Sequence, residues 1–216
     1  VGASTKEVLL NIGYRGLGPS GAKALAKALS LGGLEVLELD ISGNGIGVEG
    51  AQALAGSFPA SLKVLKLNAA NNRLTLAGVK ALAAAIPREI EVLALGFSGM
   101  RMGPEGAAAL AAGLPSKVRE LTLDLYGNGV QDDGLVAISR ALPKTLEYLN
   151  VVLLENQLGR RGLFVLDRQI GDALNEYHLP NLRAENFKKA AKLEKFEFHE
   201  APDGSTTRQL DFREFC

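Results

Sequence analysis

Leu37, Leu39 and Ile41 alternate with Glu38, Asp40 and Ser42. That period of two predicts a strand with one buried face. After Gly50 the spacing changes. Ala51, Leu54, Ala55 and Phe58 fall at i, i+3, i+4 and i+7, which is one face of a helix. Pro59 follows, and Pro87, Pro115 and Pro143 close the corresponding segments downstream. Proline cannot continue a helix, so each marks an end. The predicted unit is strand, loop, helix, loop.

The unit recurs. Leu34-Glu-Val-Leu-Glu-Leu, Leu62-Lys-Val-Leu-Lys-Leu, Ile90-Glu-Val-Leu-Ala-Leu, Val118-Arg-Glu-Leu-Thr-Leu and Leu146-Glu-Tyr-Leu-Asn-Val start 28 residues apart. An Asn column follows at positions 44, 72, 128 and 156, with Met100 filling the vacant slot. A Gly column runs unbroken through 50, 78, 106, 134 and 162. A degenerate copy lies upstream, Leu10-Asn-Ile-Gly-Tyr-Arg-Gly-Leu, with Arg15 in the Asn slot and Gly21 in the Gly slot. One unit cannot bury both its strand and its helix face, so neighbours must stack.

The pattern Val36-x-x-Leu39-x-Ile41-x-x-Asn44-x-Ile46 followed by Gly50-Ala-x-Ala-Leu-Ala resembles the leucine-rich repeat family, in its ribonuclease-inhibitor-like subclass with long helical repeats. The resemblance covers residues 7–172. It implies an α/β fold, a short right-handed solenoid of about six strand-loop-helix repeats. A concave parallel sheet and convex helices would line its two sides. It also implies that Asn44, Asn72, Asn128 and Asn156 form a structural ladder bonding the backbone of neighbouring loops. Ribonuclease inhibition is not expected, because that inhibitor is cysteine-rich and strongly acidic. The repeat number and acidic tail of Ran GTPase-activating proteins are missing, as is the nucleotide-binding domain of NOD-like receptors.

Composition shifts near residue 157. Residues 157–216 hold 10 basic and 10 acidic residues, and 7 of the 12 aromatics. Gly162 to Asn175 reads as a sixth helix, broken at Leu179-Pro180-Asn181. Arg183 to Lys195 reads as a further helix. Phe196 to Glu200 and Gln209 to Arg213 alternate around the turn signal Ala-Pro-Asp203-Gly204-Ser, which predicts a β-hairpin. The division is a solenoid over 1–177 and a C-terminal helix and hairpin over 178–216. A solenoid end needs covering, so this segment reads as a cap, or else as an appendage that binds a partner. Val8 to Ile12 is expected to be an edge strand.

The whole chain is 216 residues, 47% hydrophobic, with 24 basic and 24 acidic residues. Such a hydrophobic content excludes global disorder. Zero net charge argues against nucleic acid or an anionic membrane as the partner. A single cysteine, Cys216, excludes an intramolecular disulfide framework and a cysteine-based zinc site. No run of 18 apolar residues predicts a membrane span, and the absence of Asn-x-Ser/Thr points to an intracellular home. The chain opens on Val1 without methionine, so the compartment, cytoplasm or organelle interior, stays open.

Motifs with possible chemistry are weak. Gly45-x-Gly47-x-x-Gly50 and Gly16-x-Gly18-x-x-Gly21 match the dinucleotide fingerprint, a tight turn that lets backbone approach a pyrophosphate at a helix N-terminus. The third glycine, however, belongs to the repeat column. His178 reads as a loop residue and His199 as an exposed strand residue, neither at metal-ligand spacing. Asp132-Asp133 stands at a helix start, where acids offset the positive helix end. Arg160-Arg161 reads as a solvated helix start. With no nucleophile-base pair, no catalytic residue, cofactor or metal is expected.

Function is therefore expected on the outward positions of the strands. Glu38 and Lys66 should pair, Ala94, Gly96 and Ser98 form a notch, and Tyr126, Val152 and Leu154 read as an exposed apolar patch edged by Asp124 and Asn150. An exposed apolar patch marks a contact, so these five residues are the candidate partner-binding site. The expected function is a non-enzymatic protein-protein interaction or scaffold module, an accessory subunit of a larger assembly. The alternative is a regulator of a partner GTPase or enzyme, with Arg101 or Arg73 reaching from the loops.

Overall fold

The structure, a computed structural model, describes residues 5–30, 33–171 and 176–178. The two predicted periods become strands and helices in strict alternation. They run β1 (Glu7–Asn11), α1 (Gly18–Leu29), β2 (Val36–Asp40), α2 (Gly47–Ala55), β3 (Val64–Asn68), α3 (Thr75–Ala84), β4 (Val92–Gly96), α4 (Gly103–Gly113), β5 (Glu120–Asp124), α5 (Gln131–Ala141), β6 (Tyr148–Val152), α6 (Arg160–Gly171) and β7 (Glu176–His178). All seven strands pair in parallel, in chain order. Each helix packs on the next. The chain is an α/β solenoid.

Register follows the sequence repeat. Leu37, Leu65, Leu93, Leu121 and Leu149 stand opposite one another across β2 to β6. Their inward side chains, with those of Leu39, Leu67, Leu95, Leu123 and Val151, are all buried in one continuous core. One column further, Ile41, Ala69, Phe97, Leu125 and Leu153 are buried as well. The large Phe97 beside the small Ala69 keeps that column filled, as close packing requires.

The Gly column does not open the helices. They begin two or three residues earlier, and the glycine lies within the first turn. A Cβ at Gly50 would stand 2.9 Å from the Cβ of Ala22, and one at Gly134 would stand 2.8 Å from the Cβ of Ala107. Successive helices thus approach too closely there for any side chain. The prolines end each repeat as expected. Pro59, Pro87, Pro115 and Pro143 each offer a carbonyl to the amide three residues on, at Leu62, Ile90, Val118 and Leu146. Those turns deliver the chain into the next strand.

One expectation needs correction and one is met only in part. The sixth helix begins at Arg160, two residues before Gly162, and is described as far as Gly171; residues 172–175, the rest of the expected helix, lie outside the described ones. A short seventh strand, unforeseen because three residues carry no periodicity, pairs Glu176, Tyr177 and His178 with Tyr148, Leu149 and Asn150. His178 is therefore on a strand and not in a loop. It stands at the boundary drawn at 177/178. The helix at Arg183–Lys195, the hairpin, His199 and Cys216 lie outside the described residues.

Candidate protein-binding surface

The loops after the strands are built by asparagine. Asn72 donates from Nδ2 to the carbonyls of Ile41 (2.8 Å) and Ala69 (2.9 Å), and its Oδ1 accepts from the amides of Asn44 (3.0 Å) and Ile46 (3.3 Å). Asn156 does the same three repeats further on, accepting from Asn128 and Val130 and donating to Leu125 O. Asn44 and Asn128 repeat the pattern. All four are buried, so each amide replaces water at groups that would otherwise be costly to bury. The backbone carbonyls of Asn44, Asn72, Asn128 and Asn156 also accept from Gly18, Gly47, Gly103 and Gln131, the first residues of four helices. None of α1 to α5 carries a side-chain N-cap bond. For four of these five the next repeat satisfies that first donor instead.

Among the described residues the helices cover one face of the sheet, and no element lies on the other. Its residues form rows across the strands. Glu7, Val36, Val64, Val92, Glu120 and Tyr148 stand in one row; Leu9, Glu38, Lys66, Ala94, Thr122 and Asn150 in the next; Asn11, Asp40, Asn68, Gly96, Asp124 and Val152 in a third. Lys66 Nζ lies 2.6 Å from Glu38 Oε1, the expected pair. Ser98 donates to Asp124 Oδ2 at 2.6 Å. Along the strand-entry edge, exposed pairs join neighbouring repeats, including Lys6–Glu35, Lys117–Glu89 and Arg119–Glu147. Hydrogen bonds from Lys6 and Lys117 hold the carboxyls of Glu35 and Glu89 below their ordinary pKa; Lys23 does the same for Glu49 at the helix side.

A leucine-rich repeat family, described as Leucine Rich repeat, matches residues 36–55 and 121–139, the β2–α2 and β5–α5 units. A solved structure of the leucine-rich repeat-containing protein LegL7 from Legionella pneumophila is similar over 81% of this chain, with a TM-score of 0.53 at 20% identity. The chain spans 56% of that protein's length. No curated protein matches the sequence at a significant level. The ladder and these likenesses agree. The fold is a solenoid like that of leucine-rich-repeat proteins.

Leucine-rich-repeat proteins generally mediate protein–protein contacts and are typically non-enzymatic, so the exposed residues of this solenoid matter most. Tyr126 is 46% exposed, and Leu9 on the edge strand is 55% exposed. The apolar patch expected around Tyr126 is only partly there. Leu154 is half-buried, but Val152 is 5% exposed and Asn150 is 3% exposed. β7 makes β6 an internal strand, and Asn150 pairs with Thr122 on one side and His178 on the other. Asp124 stays half-buried and Tyr126 faces solvent. Ala94 and Gly96 are buried too, so the notch is not an open one.

The outward positions extend beyond those expected. Val36, Val64 and Val92 are half-buried on the same face as Glu38, Lys66 and Ala94. Strand alternation alone could have found them, since they stand two residues before Glu38, Lys66 and Ala94. The fingerprint glycines are accounted for by the repeat. Gly45 and Gly47 take left-handed turns at φ 63° and 61°, and Gly50 packs against Ala22. Asp132 Oδ1 accepts from Gly159 N at 2.7 Å, and Asp133 pairs with Arg161 at 2.8 Å. Among the described residues no three His, Cys, Asp or Glu side chains are grouped to hold a metal, and no helix is long and apolar enough to cross a membrane.

Proposed function

We propose that this chain is a non-enzymatic binding module that recognises a protein through the open face of its sheet and the adjoining loops, as an accessory subunit of a larger assembly. One observation carries the reading. Alternate side chains of each strand enter the core, while the others project from a parallel sheet that, among the described residues, has helices on one face only. Parallel sheets ordinarily have both faces covered, so an uncovered one invites a ligand. Tyr126 supplies an exposed aromatic at its rim, the residue type most enriched in interfaces. The test is Tyr126→Ala. The module reading expects partner binding to weaken by about tenfold or more with thermal unfolding unchanged. Unaltered binding by this variant would remove Tyr126 from the interface.

A second reading, regulation of a partner GTPase or enzyme, has its own support. Arg73 and Arg101 stand in equivalent loops of successive repeats, both exposed and both at left-handed φ (55° and 50°). Three other repeats use Gly16, Gly45 and Gly129 at this position and the last uses Gln157 at φ 50°, so the two arginines, like Gln157, hold a conformation that costs a side chain energy. Strain of this kind gathers at functional sites. Partner turnover with Arg73→Ala and Arg101→Ala decides between the readings. Loss of the regulatory effect with binding intact supports the second.

A further inference from the structure

We infer that the open face takes an extended, cationic segment of its protein partner. This rests on the binding-module reading and names the chemistry of what is bound. The chain as a whole is neutral, but the open face is not. Its charged side chains on β1 to β6 are Glu7, Glu38, Asp40, Glu120 and Asp124 against Lys66 alone. Lys66 is already paired to Glu38. Four carboxylates remain, Glu7 and Glu120 exposed, Asp40 and Asp124 half-buried.

The charge at Asp40 and Asp124 is surplus to the fold. Each accepts the amide two residues on, at Ser42 and Tyr126, and Asp124 also accepts from Ser98, a contact that an asparagine amide can keep by donating to the hydroxyl. Asn11 and Asn68, in the same row, accept from Gly13 and Ala70 in the same way without charge. A neutral amide suffices for this turn, so the fold does not require carboxylates here. A separate observation points to a missing donor. Asn150, on the same face one register step from Asp124, is buried, yet its Oδ1 has no hydrogen-bond partner. A buried acceptor left unpaired is costly, and an N–H donor from a ligand would satisfy it.

The layout fits arginine or lysine side chains. Val36, Val64 and Val92 form an apolar floor between Glu7 and Glu120. Basic side chains lay their methylene stems on such a floor and keep the charged head at its edge. Asp40 and Asp124 are three strands apart, about 14 Å at the usual strand spacing, which an extended chain covers in about four residues. The favoured segment therefore carries two cations four residues apart. The same acidic face repels the phosphates of nucleic acid and anionic lipid, which leaves protein as the class of partner.

The test is fluorescence anisotropy of the full chain with labelled 12-residue peptides, one with two arginines four apart, one with glutamates in their place. The arginine peptide should bind, and weaken as salt rises. Asp40→Asn combined with Asp124→Asn should weaken it about tenfold or more while thermal unfolding stays unchanged. Glu120→Gln, at an exposed position, should weaken it as well and guards against any effect of the double variant on folding. No binding of the arginine peptide, equal binding of the glutamate peptide, or unchanged affinity in both variants overturns the inference. If instead a partner binds through Tyr126 and ignores these substitutions, the module reading stands and the cationic assignment falls.

Discussion

Two neighbouring loops of this solenoid reach one backbone shape by opposite means. The loop after β2 places glycine at each of its three left-handed positions, Gly43, Gly45 and Gly47, at φ 64°, 63° and 61°. The loop after β3 places Asn71, Arg73 and Thr75 there, at 58°, 55° and 55°. The first loop is held by the Asn72 amide, which takes the amides of Asn44 and Ile46. The second loop faces Met100, which gives Asn72 N–H and Leu74 N–H no side-chain oxygen. The bond that joins Gly47 N–H to the Asn72 carbonyl has no counterpart from Thr75 to Met100 among the described residues. Strain and a missing rung thus coincide at one junction. The comparison teaches that stacking on both sides decides the loop shape, and that local sequence can oppose it at one turn without unmaking the fold.

The largest effect should come from removing a rung. Asn72→Ala leaves two buried amides and two buried carbonyls short of a partner, a loss of about 3 kcal/mol or more, readable by urea unfolding. A loss below 1 kcal/mol would show that the ladder is dispensable and the two loops equivalent. Met100→Asn is the reverse experiment. Pairing buried donors outweighs the lost burial of a methionine, and a gain of about 1 kcal/mol is expected. Thr75→Gly isolates strain from hydrogen bonding. A β-branched residue at positive φ is an outlier, and its relief should raise stability by about 1 kcal/mol or slightly less, seen as a rise in Tm. The reciprocal Gly47→Thr should lower Tm.

The smallest effect is electrostatic, and it separates the uncharged ladder from the charged edge. Glu35, Glu49 and Glu89 have lowered pKa values, caused first by hydrogen bonds from Lys6, Lys23 and Lys117. Their contribution is present above the ordinary carboxyl pKa near 4.5 and fades as pH falls through the lowered values in the folded protein. All three are on the surface, where such pairs contribute little. Glu89→Gln should flatten the acid limb of the stability profile slightly and leave neutral pH nearly unaffected. The response to Met100→Asn should be the same at both pH values.

Much of the fold was legible because stacked repeats write the same constraint several times. A strand that buries one face needs alternation, and here β2 to β6 all show it in register. The Asn column was equally readable, since only an amide offers both a donor and an acceptor at one buried point. The candidate site was less legible. Tyr126 is exposed as expected, but Val152 and Asn150 are not, because strand alternation assigns a face and carries no record of what packs against it. A three-residue strand such as β7 leaves no pattern to read. Val36, Val64 and Val92 were overlooked for another reason: valine in a strand reads as core until its face is assigned.

The repeat length, the parallel register and the identity of the ladder residues were determined by sequence alone, because each recurs at a fixed interval and periodicity survives unfolding. Exposure was decided only by tertiary structure. Whether an outward side chain is free depends on the neighbour about 4.8 Å away in the next strand, and that neighbour is 28 residues distant in the chain. The same holds for the charge of the open face, which appears only when residues from β1, β2 and β5 are brought onto one surface.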